Sequence, residues 1–94
     1  DPNCCEAYNL LGMSQNNLES ALEFFNKAVE LGPLITPKFN KILKSKDVWL
    51  HVPMRAYIRA LFNVGNTLRK LKRYKESLEY YLKIADLDNN WYSF

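Results

Sequence analysis

The chain has 94 residues and a mass of 11.1 kDa, the size of one small domain. Hydrophobic residues make up 48% and charged residues 24%, with only three glycines and four prolines, so wholesale disorder and collagen-like repeats are excluded. Two cysteines and one histidine rule out a disulfide framework and an all-protein zinc site. No apolar run is long enough to cross a bilayer.

The net charge of +3 conceals an uneven distribution. Residues 1–32 carry a net charge of −4, residues 33–75 carry +10, and residues 76–94 carry −3. A basic middle between two acidic ends favours an anionic partner for the middle. The alternative is a solvated lysine face that pairs with acids elsewhere on the chain.

Helical periodicity predicts two helices in the first third of the chain. The first covers residues 3–13, and we expect its packed side to contain Ala7, Tyr8, Leu11 and Gly12. Asn16 stands three residues before Glu19, a spacing typical of a capping box at the start of a second helix. That helix is expected to end at Gly32-Pro33, because glycine tolerates the left-handed conformation and proline cannot continue a helix. Its apolar positions recur at spacings of three and four: Leu18, Ala21, Leu22, Phe25, Ala28, Val29 and Leu31.

Residues 33–52 have the least regular pattern. Pro33 and Pro37 break any long helix, and a short one could follow. We expect that short helix to be lined by Phe39, Ile42 and Leu43, and a further turn to be capped by Asp47 with Val48, Trp49 and Leu50 packing down.

The last part of the chain predicts two longer helices. One covers residues 53–71, with Pro53 in its first turn. Its apolar stripe is Met54, Tyr57, Ile58, Leu61, Val64, Gly65, Leu68 and Leu71. The other covers residues 74–87, and we expect Leu78, Tyr81, Leu82, Ile84 and Ala85 to face inward.

From Ile58 onward the sequence resembles the 34-residue tetratricopeptide repeat over its full length, without gaps. The matching positions are Leu61, the pair Val64-Gly65, Leu68, the aromatic Tyr74 after the turn, Ser77 and Tyr81. Ile84 stands where the pattern has alanine, and Asn89 where it has proline. Small residues at Gly65 and Ser77 allow the two helices of one hairpin to approach closely.

The first third resembles the same repeat in its second helix, through Ala21, Phe25, Ala28 and Pro33. Its Leu11-Gly12 pair lies three residues too close to Ala21, so this hairpin is expected to be shortened or irregular at its turn. The resemblance implies an all-α fold of tetratricopeptide-like helical hairpins, a fragment of a superhelix or solenoid cut from a longer array. We divide it into an irregular or shortened hairpin (1–33), a basic insertion reaching into the next helix (34–57), a complete repeat (58–91), and the start of a further repeat or cap (92–94). The segment Arg55–Ala60 is similar to a divergent subgroup that includes the proteins named for suppression of tumorigenicity.

The resemblance also implies a protein–protein interaction or scaffolding module that binds an extended, acidic peptide in a concave groove. At 100° per residue one wedge of the helix over residues 53–71 collects polar side chains opposite the apolar stripe. The wedge and its border contain Arg55, Arg59, Phe62, Asn63, Asn66 and Lys70. Arg59 and Asn63 match positions that carboxylate-clamping repeats use, but Glu6 and Leu10 stand where the first repeat of a clamp has Lys and Asn. The wedge could also be only the solvent face of an amphipathic helix.

A second basic cluster at the predicted turn supports a different class of partner. Arg69, Lys72 and Arg73 surround Tyr74, and cations interleaved with an aromatic can bind a phosphate backbone and stack a base. Tyr74 also occupies a packing position of the repeat, and cations near a helix C-terminus favour its dipole, so nucleic acid is the less favoured partner. A third alternative is an accessory domain of a larger enzyme.

Catalytic and cofactor-binding patterns are missing from the sequence, so we expect no enzyme, no cofactor and no metal. His51 has no recognisable partner nearby in the sequence. Cys4 and Cys5 are adjacent, a geometry that disfavours a bond between them, and we expect both to be packing residues in a reducing, cytoplasmic compartment. No apolar face accompanies the basic one, so no membrane contact is expected.

Overall fold

The computed structural model describes residues 4–45 and 48–92. It contains α1 (Cys4–Met13), α2 (Leu18–Glu30), α3 (Phe39–Leu43), α4 (Val52–Lys70) and α5 (Tyr74–Tyr92). Short 3-10 helices lie at Gly32–Leu34 and Val48–Leu50. The described ranges contain no β-strand, so the predicted all-α fold is confirmed.

Helix α2 begins and ends through local contacts that differ in part from the prediction. Its N-cap is Asn17 and not Asn16: the Asn17 Oδ1 accepts a hydrogen bond of 2.7 Å from the Ser20 amide, which satisfies one of the free donors of the first turn. The helix ends at Glu30, as expected, but Gly32 does not adopt a left-handed conformation. Gly32 is buried, and a Cβ there would lie 2.3 Å from the Tyr57 ring. The close approach of this residue to α4 therefore explains why the position holds glycine.

A Schellman motif closes α4 and turns the chain into α5. The Arg73 amide donates to the Leu68 carbonyl at 2.9 Å, and the Lys72 amide donates to the Arg69 carbonyl at 3.0 Å. This geometry places Lys72 at φ 65°, the left-handed region that glycine usually occupies. The turn predicted at residues 72–73 is therefore present, with a lysine at its strained position.

The four longer helices pack in the order in which they occur. Helix α1 packs on α2, α2 on α4, and α4 on α5, and α1 also contacts α4. At the contact between the two hairpins the buried residues are Ala21, Leu22 and Phe25 from α2 with Val64 and Leu68 from α4. In the second hairpin the Ser77 hydroxyl donates to the Gly65 carbonyl at 2.8 Å, which fixes the close approach of α4 and α5.

The insertion between the hairpins covers the core near the start of α4. Phe39 and Val48 are buried with Met54, Ile58, Leu61, Ile84 and Leu87. Ile42 and Leu43 are half-buried against the same cluster, in line with the expected short helix, whereas Leu50 is exposed. The predicted cap at Asp47 and the predicted packing of the Trp49 side chain lie outside what the structure describes.

Two groups of apolar residues that we expected to be packed are exposed. Ala7 and Leu11 are exposed on α1, where Cys5, Asn9 and Gly12 form the buried side. Leu78, Leu82 and Ala85 are exposed on α5, where Ser77, Ile84 and Leu87 are buried. The reason is geometric: these residues lie on the outer sides of α1 and α5, and no described helix packs there.

Candidate functional site: the shared face of α1 and α4

A buried asparagine joins α1 to α4. The Asn9 side chain is 1% exposed, and its Nδ2 donates to the Ala56 carbonyl at 3.0 Å. Its Oδ1 accepts from the Asn63 Nδ2 at 3.2 Å. Asn9 is not among the predicted site residues, because an amide among apolar residues has no spacing signal of its own. Its position four residues after the buried Cys5 is the one indication that it faces the core.

The Arg59 guanidinium is already paired within the domain. Its Nε donates to the Glu6 Oε2 at 3.1 Å, and its Nη2 donates to the same oxygen. The arginine and glutamate side chains are 55% and 35% exposed, so this pair contributes at most about 1 kcal/mol to stability. The Glu6 carboxylate therefore occupies the Nε and Nη2 donors of Arg59.

The remaining residues of the predicted wedge are divided between two neighbourhoods. Asn63 and Asn66 are half-buried and line a cavity together with the exposed Lys70. The Tyr81 hydroxyl donates to the Asn66 Oδ1, which orients that amide. Phe62 is 39% exposed and Arg55 is exposed nearer the start of α4, and neither lines this cavity.

The cavity lies between the ends of α1 and α4 and the start of α2, with a volume of about 310 Å³. Its apolar lining consists of Gly12, Met13, Leu18, Ala21 and Phe25. Amide and hydroxyl groups from Gln15, Asn63, Asn66 and Thr67 complete the lining. Lys70 is the one charged residue among the described residues that line it.

Apolar side chains extend the exposed face along α1. Leu10 is 59% exposed and Met13 is 69% exposed. Leu10 follows Glu6 by four residues and Met13 follows Leu10 by three, so all three share one side of the helix, the side that meets Arg59. The face therefore combines an ion pair at one end, an apolar centre, and a single cation with amides at the other end.

Burial and the neighbouring Glu6 carboxylate raise the pKa of the Cys5 thiol to about 11, although Arg59 acts in the opposite direction. The thiol is therefore protonated at neutral pH, and it donates to the Ala28 carbonyl at 3.3 Å. Cys5 packs α1 onto α2 and is not an activated nucleophile. Burial also raises the pKa of the half-buried Tyr57.

The second basic cluster lies at the turn between α4 and α5. Arg69 and Lys72 are exposed, and the Arg73 Nη2 lies 2.6 Å from the Glu76 Oε2 in an exposed ion pair. Tyr74 is 61% exposed, so the prediction that its side chain packs inside the repeat is wrong for the part of the chain that the structure describes. The aromatic ring and the surrounding cations are accessible together.

The side chains that the structure describes form no group of three or more His, Cys, Asp or Glu that could hold a metal ion. None of the described helices is long and apolar enough to cross a membrane.

Comparison with known proteins identifies two matching stretches. One profile of the tetratricopeptide repeat matches residues 58–91, and another matches residues 6–33. Together the two stretches cover about two thirds of the chain and leave out the insertion between the hairpins. No curated protein and no solved structure matches at a significant level. Tetratricopeptide repeats generally mediate protein–protein interactions and are typically non-catalytic. Two successive matches, each on one of the observed hairpins, show that this chain belongs to the tetratricopeptide repeat family.

Proposed function

We propose that this domain is a protein–protein interaction and scaffolding module that holds an extended, acidic peptide across α1 and α4. The observation that carries the proposal is the mixed face of these two helices. Leu10, Met13 and Phe62 offer exposed apolar surface, and Lys70 with the neighbouring amides offers polar contacts beside a cavity. Extended peptides bind such faces through apolar anchors and through amides that pair with their backbone.

The contacts between α1 and α4 change which variants can test this function. Arg59 and Asn63 match the clamp positions, but Arg59 pairs with Glu6 and Asn63 pairs with the buried Asn9. Replacing both would loosen the contact between the two helices, so a loss of binding in that variant would not identify a ligand contact. Lys70 is exposed and makes no ion pair with the described residues, so its replacement tests binding without that complication.

A phage-displayed library of short peptides, selected against the domain, provides the test. Peptides recovered from the library should shift amide NMR signals of α1 and α4 around Met13, Asn66 and Lys70. Lys70→Ala should weaken binding, whereas Lys41→Ala on the exposed side of α3 is the matched control and should not. Selection of no peptide, or shifts confined to the outer side of α5, would contradict the proposal.

A second candidate function is nucleic-acid binding through the turn between α4 and α5. The exposure of Tyr74 among Arg69, Lys72 and Arg73 favours it, because an accessible ring can stack a base while cations contact phosphates. This function predicts binding of a single-stranded oligonucleotide that falls steeply with salt. It also predicts a loss in Tyr74→Ala that Lys70→Ala does not share. Fluorescence anisotropy over a salt series measures both.

We also propose the domain division, the subgroup and the cellular compartment that the sequence predicted. We retain the division into hairpins at residues 1–33 and 58–91, the insertion at 34–57, and a further repeat or cap from residue 92. The insertion ahead of Arg55–Ala60 supports membership of the suppression-of-tumorigenicity-like subgroup. Two free cysteines, one of them buried as a protonated thiol, support a reducing, cytoplasmic compartment.

A further inference from the structure

The distribution of charge along the α1–α4 face is unequal. At the Arg59 end the cation is matched by Glu6, so a ligand carboxylate arriving there meets a carboxylate of the domain. At the other end Lys70 lines the cavity, and no Asp or Glu is among the described residues lining it. A ligand carboxylate beside Lys70 therefore meets a cation and none of the acidic side chains that the structure describes around the cavity.

The amides beside Lys70 retain hydrogen-bonding groups that the fold does not use. The Asn66 Oδ1 accepts from Tyr81, which leaves the two N–H donors of its Nδ2 for a ligand. The Asn63 Nδ2 donates to Asn9, and the Gln15 Nε2 donates to the Leu11 carbonyl, which leaves an acceptor oxygen on each side chain. The cavity rim therefore offers both donors and acceptors, which an extended peptide backbone requires.

The size and lining of the cavity set what can enter it. A volume of about 310 Å³ is at the lower limit of small-molecule pockets, which run from roughly 300 to 1,000 Å³. Leu18, Ala21 and Phe25 belong to its apolar lining, so an apolar side chain can be buried there. Lys70 stands at the same cavity, within reach of a neighbouring residue of the ligand.

We infer that this cavity is the specificity pocket of the groove. It takes an apolar side chain of an extended peptide, while a carboxylate next to that side chain pairs with Lys70. Arg59 is disfavoured as the carboxylate-binding cation, because it already pairs with Glu6. This inference rests on the proposed peptide-binding function and assigns that function its ligand chemistry. The carboxylate is that of an Asp or Glu side chain within the peptide, because the free donors and acceptors beside Lys70 fit a backbone that continues past the pocket.

Four synthetic peptides labelled with fluorescein test the inference by anisotropy. The first is a capped Ser-Gly-Leu-Glu-Gly-Ser, the second replaces its Glu with Gln, and the third replaces its Leu with Gly. The fourth ends in Ser-Gly-Leu with a free carboxylate. The first peptide should bind, and the second, third and fourth should bind about tenfold more weakly than the first. Binding of the fourth peptide alone would show that the carboxylate is that of a chain end and would overturn the inference.

Protein variants identify the cation. Lys70→Gln should weaken the binding peptide about tenfold, the effect of removing one charged hydrogen bond. Arg59→Gln should weaken it less than twofold, and Lys41→Gln on α3 controls for the loss of one positive charge. Circular dichroism confirms that each variant remains helical.

The outcomes separate this inference from the function on which it rests. An equal or larger loss in Arg59→Gln than in Lys70→Gln overturns the inference, as does binding that ignores the Leu or the carboxylate. If library-selected peptides of other chemistry bind the α1–α4 face and the four synthetic peptides do not, the inference fails and the proposed function stands. If no peptide binds that face, both fail.

Discussion

The two hairpins carry apolar residues at equivalent positions, yet these residues are buried to very different extents. Leu22 and Leu78 each follow the small residue of the second helix, and they are 9% and 55% exposed. Leu11 and Val64 each precede the glycine of the first helix, and they are 45% and 1% exposed. The buried member of each pair lies at the α2–α4 contact. Burial in a repeat is therefore decided by the neighbouring helix and not by the residue itself.

Replacing the equivalent residues Leu22 and Leu78 with alanine is expected to give the largest difference in stability between the two hairpins. Leu22→Ala should lower the free energy of unfolding by about 2–4 kcal/mol, because it leaves a cavity between α2 and α4. Leu78→Ala should lower it by less than about 1 kcal/mol, because its side chain is already in contact with solvent. Urea unfolding followed by circular dichroism measures both. Equal losses would show that α5 is covered in solution, and a protein-concentration series would show whether a second copy covers it.

The glycines at the helix crossings of the two hairpins also have different surroundings. A Cβ at Gly12 would lie 2.4 Å from the ring of Phe25, which is 6% exposed and enclosed by the core. A Cβ at Gly65 would lie 3.1 Å from the ring of Tyr81, which is half-buried. The first hairpin is therefore packed more tightly at its crossing than the second.

Replacing each of these glycines with alanine measures the difference in packing at the two helix crossings. Gly12→Ala should destabilise the domain by about 2 kcal/mol, because the Phe25 ring or the helix must shift. Gly65→Ala should change stability by less than about 0.5 kcal/mol, because a small shift of Tyr81 is offset by the better helix propensity of alanine. Thermal unfolding of the two variants beside the parent chain is sufficient. A similar loss in both would mean that Tyr81 is held as firmly as Phe25.

Sequence periodicity predicted the helices well, because α2 and α4 each bury one continuous stripe. It predicted the inner sides of α1 and α5 poorly, because both helices also carry apolar residues on their outer sides. On α5 the exposed Leu78 and Leu82 gave a stronger hydrophobic signal than the buried Ser77. A pattern of apolar residues indicates which faces can be buried, whereas the packing of the helices decides which faces are.

The sequence predicted which residues of α4 lie together at the candidate site, but it did not predict their contacts with α1. The 100° rotation per residue correctly placed Asn63, Asn66 and Lys70 on one side of α4, where they share a cavity. It carried no information about α1, because residues 6 and 59 are far apart in sequence. The Glu6–Arg59 pair and the Asn9–Asn63 contact both depend on how α1 packs on α4, and these contacts determine which polar groups remain for a ligand.

The two hairpins also differ in their turns, and this difference is expected to have the smallest effect on stability. The first hairpin connects its helices through Asn17, which caps α2 without a left-handed residue, whereas the second requires Lys72 at φ 65°. The left-handed conformation costs a residue with a Cβ about 1–2 kcal/mol, and glycine avoids that cost at an entropic penalty of roughly half as much.

Lys72→Gly should therefore stabilise the domain by about 0.5–1 kcal/mol, seen as a rise of about 2–6 °C in Tm. Lys72→Ala is the matched control, because it removes the same charge from the basic cluster and keeps the Cβ. We expect it to leave Tm nearly unchanged. If alanine raised Tm as much as glycine, the gain would come from weaker repulsion among Arg69, Lys72 and Arg73, and the second turn would be no more strained than the first.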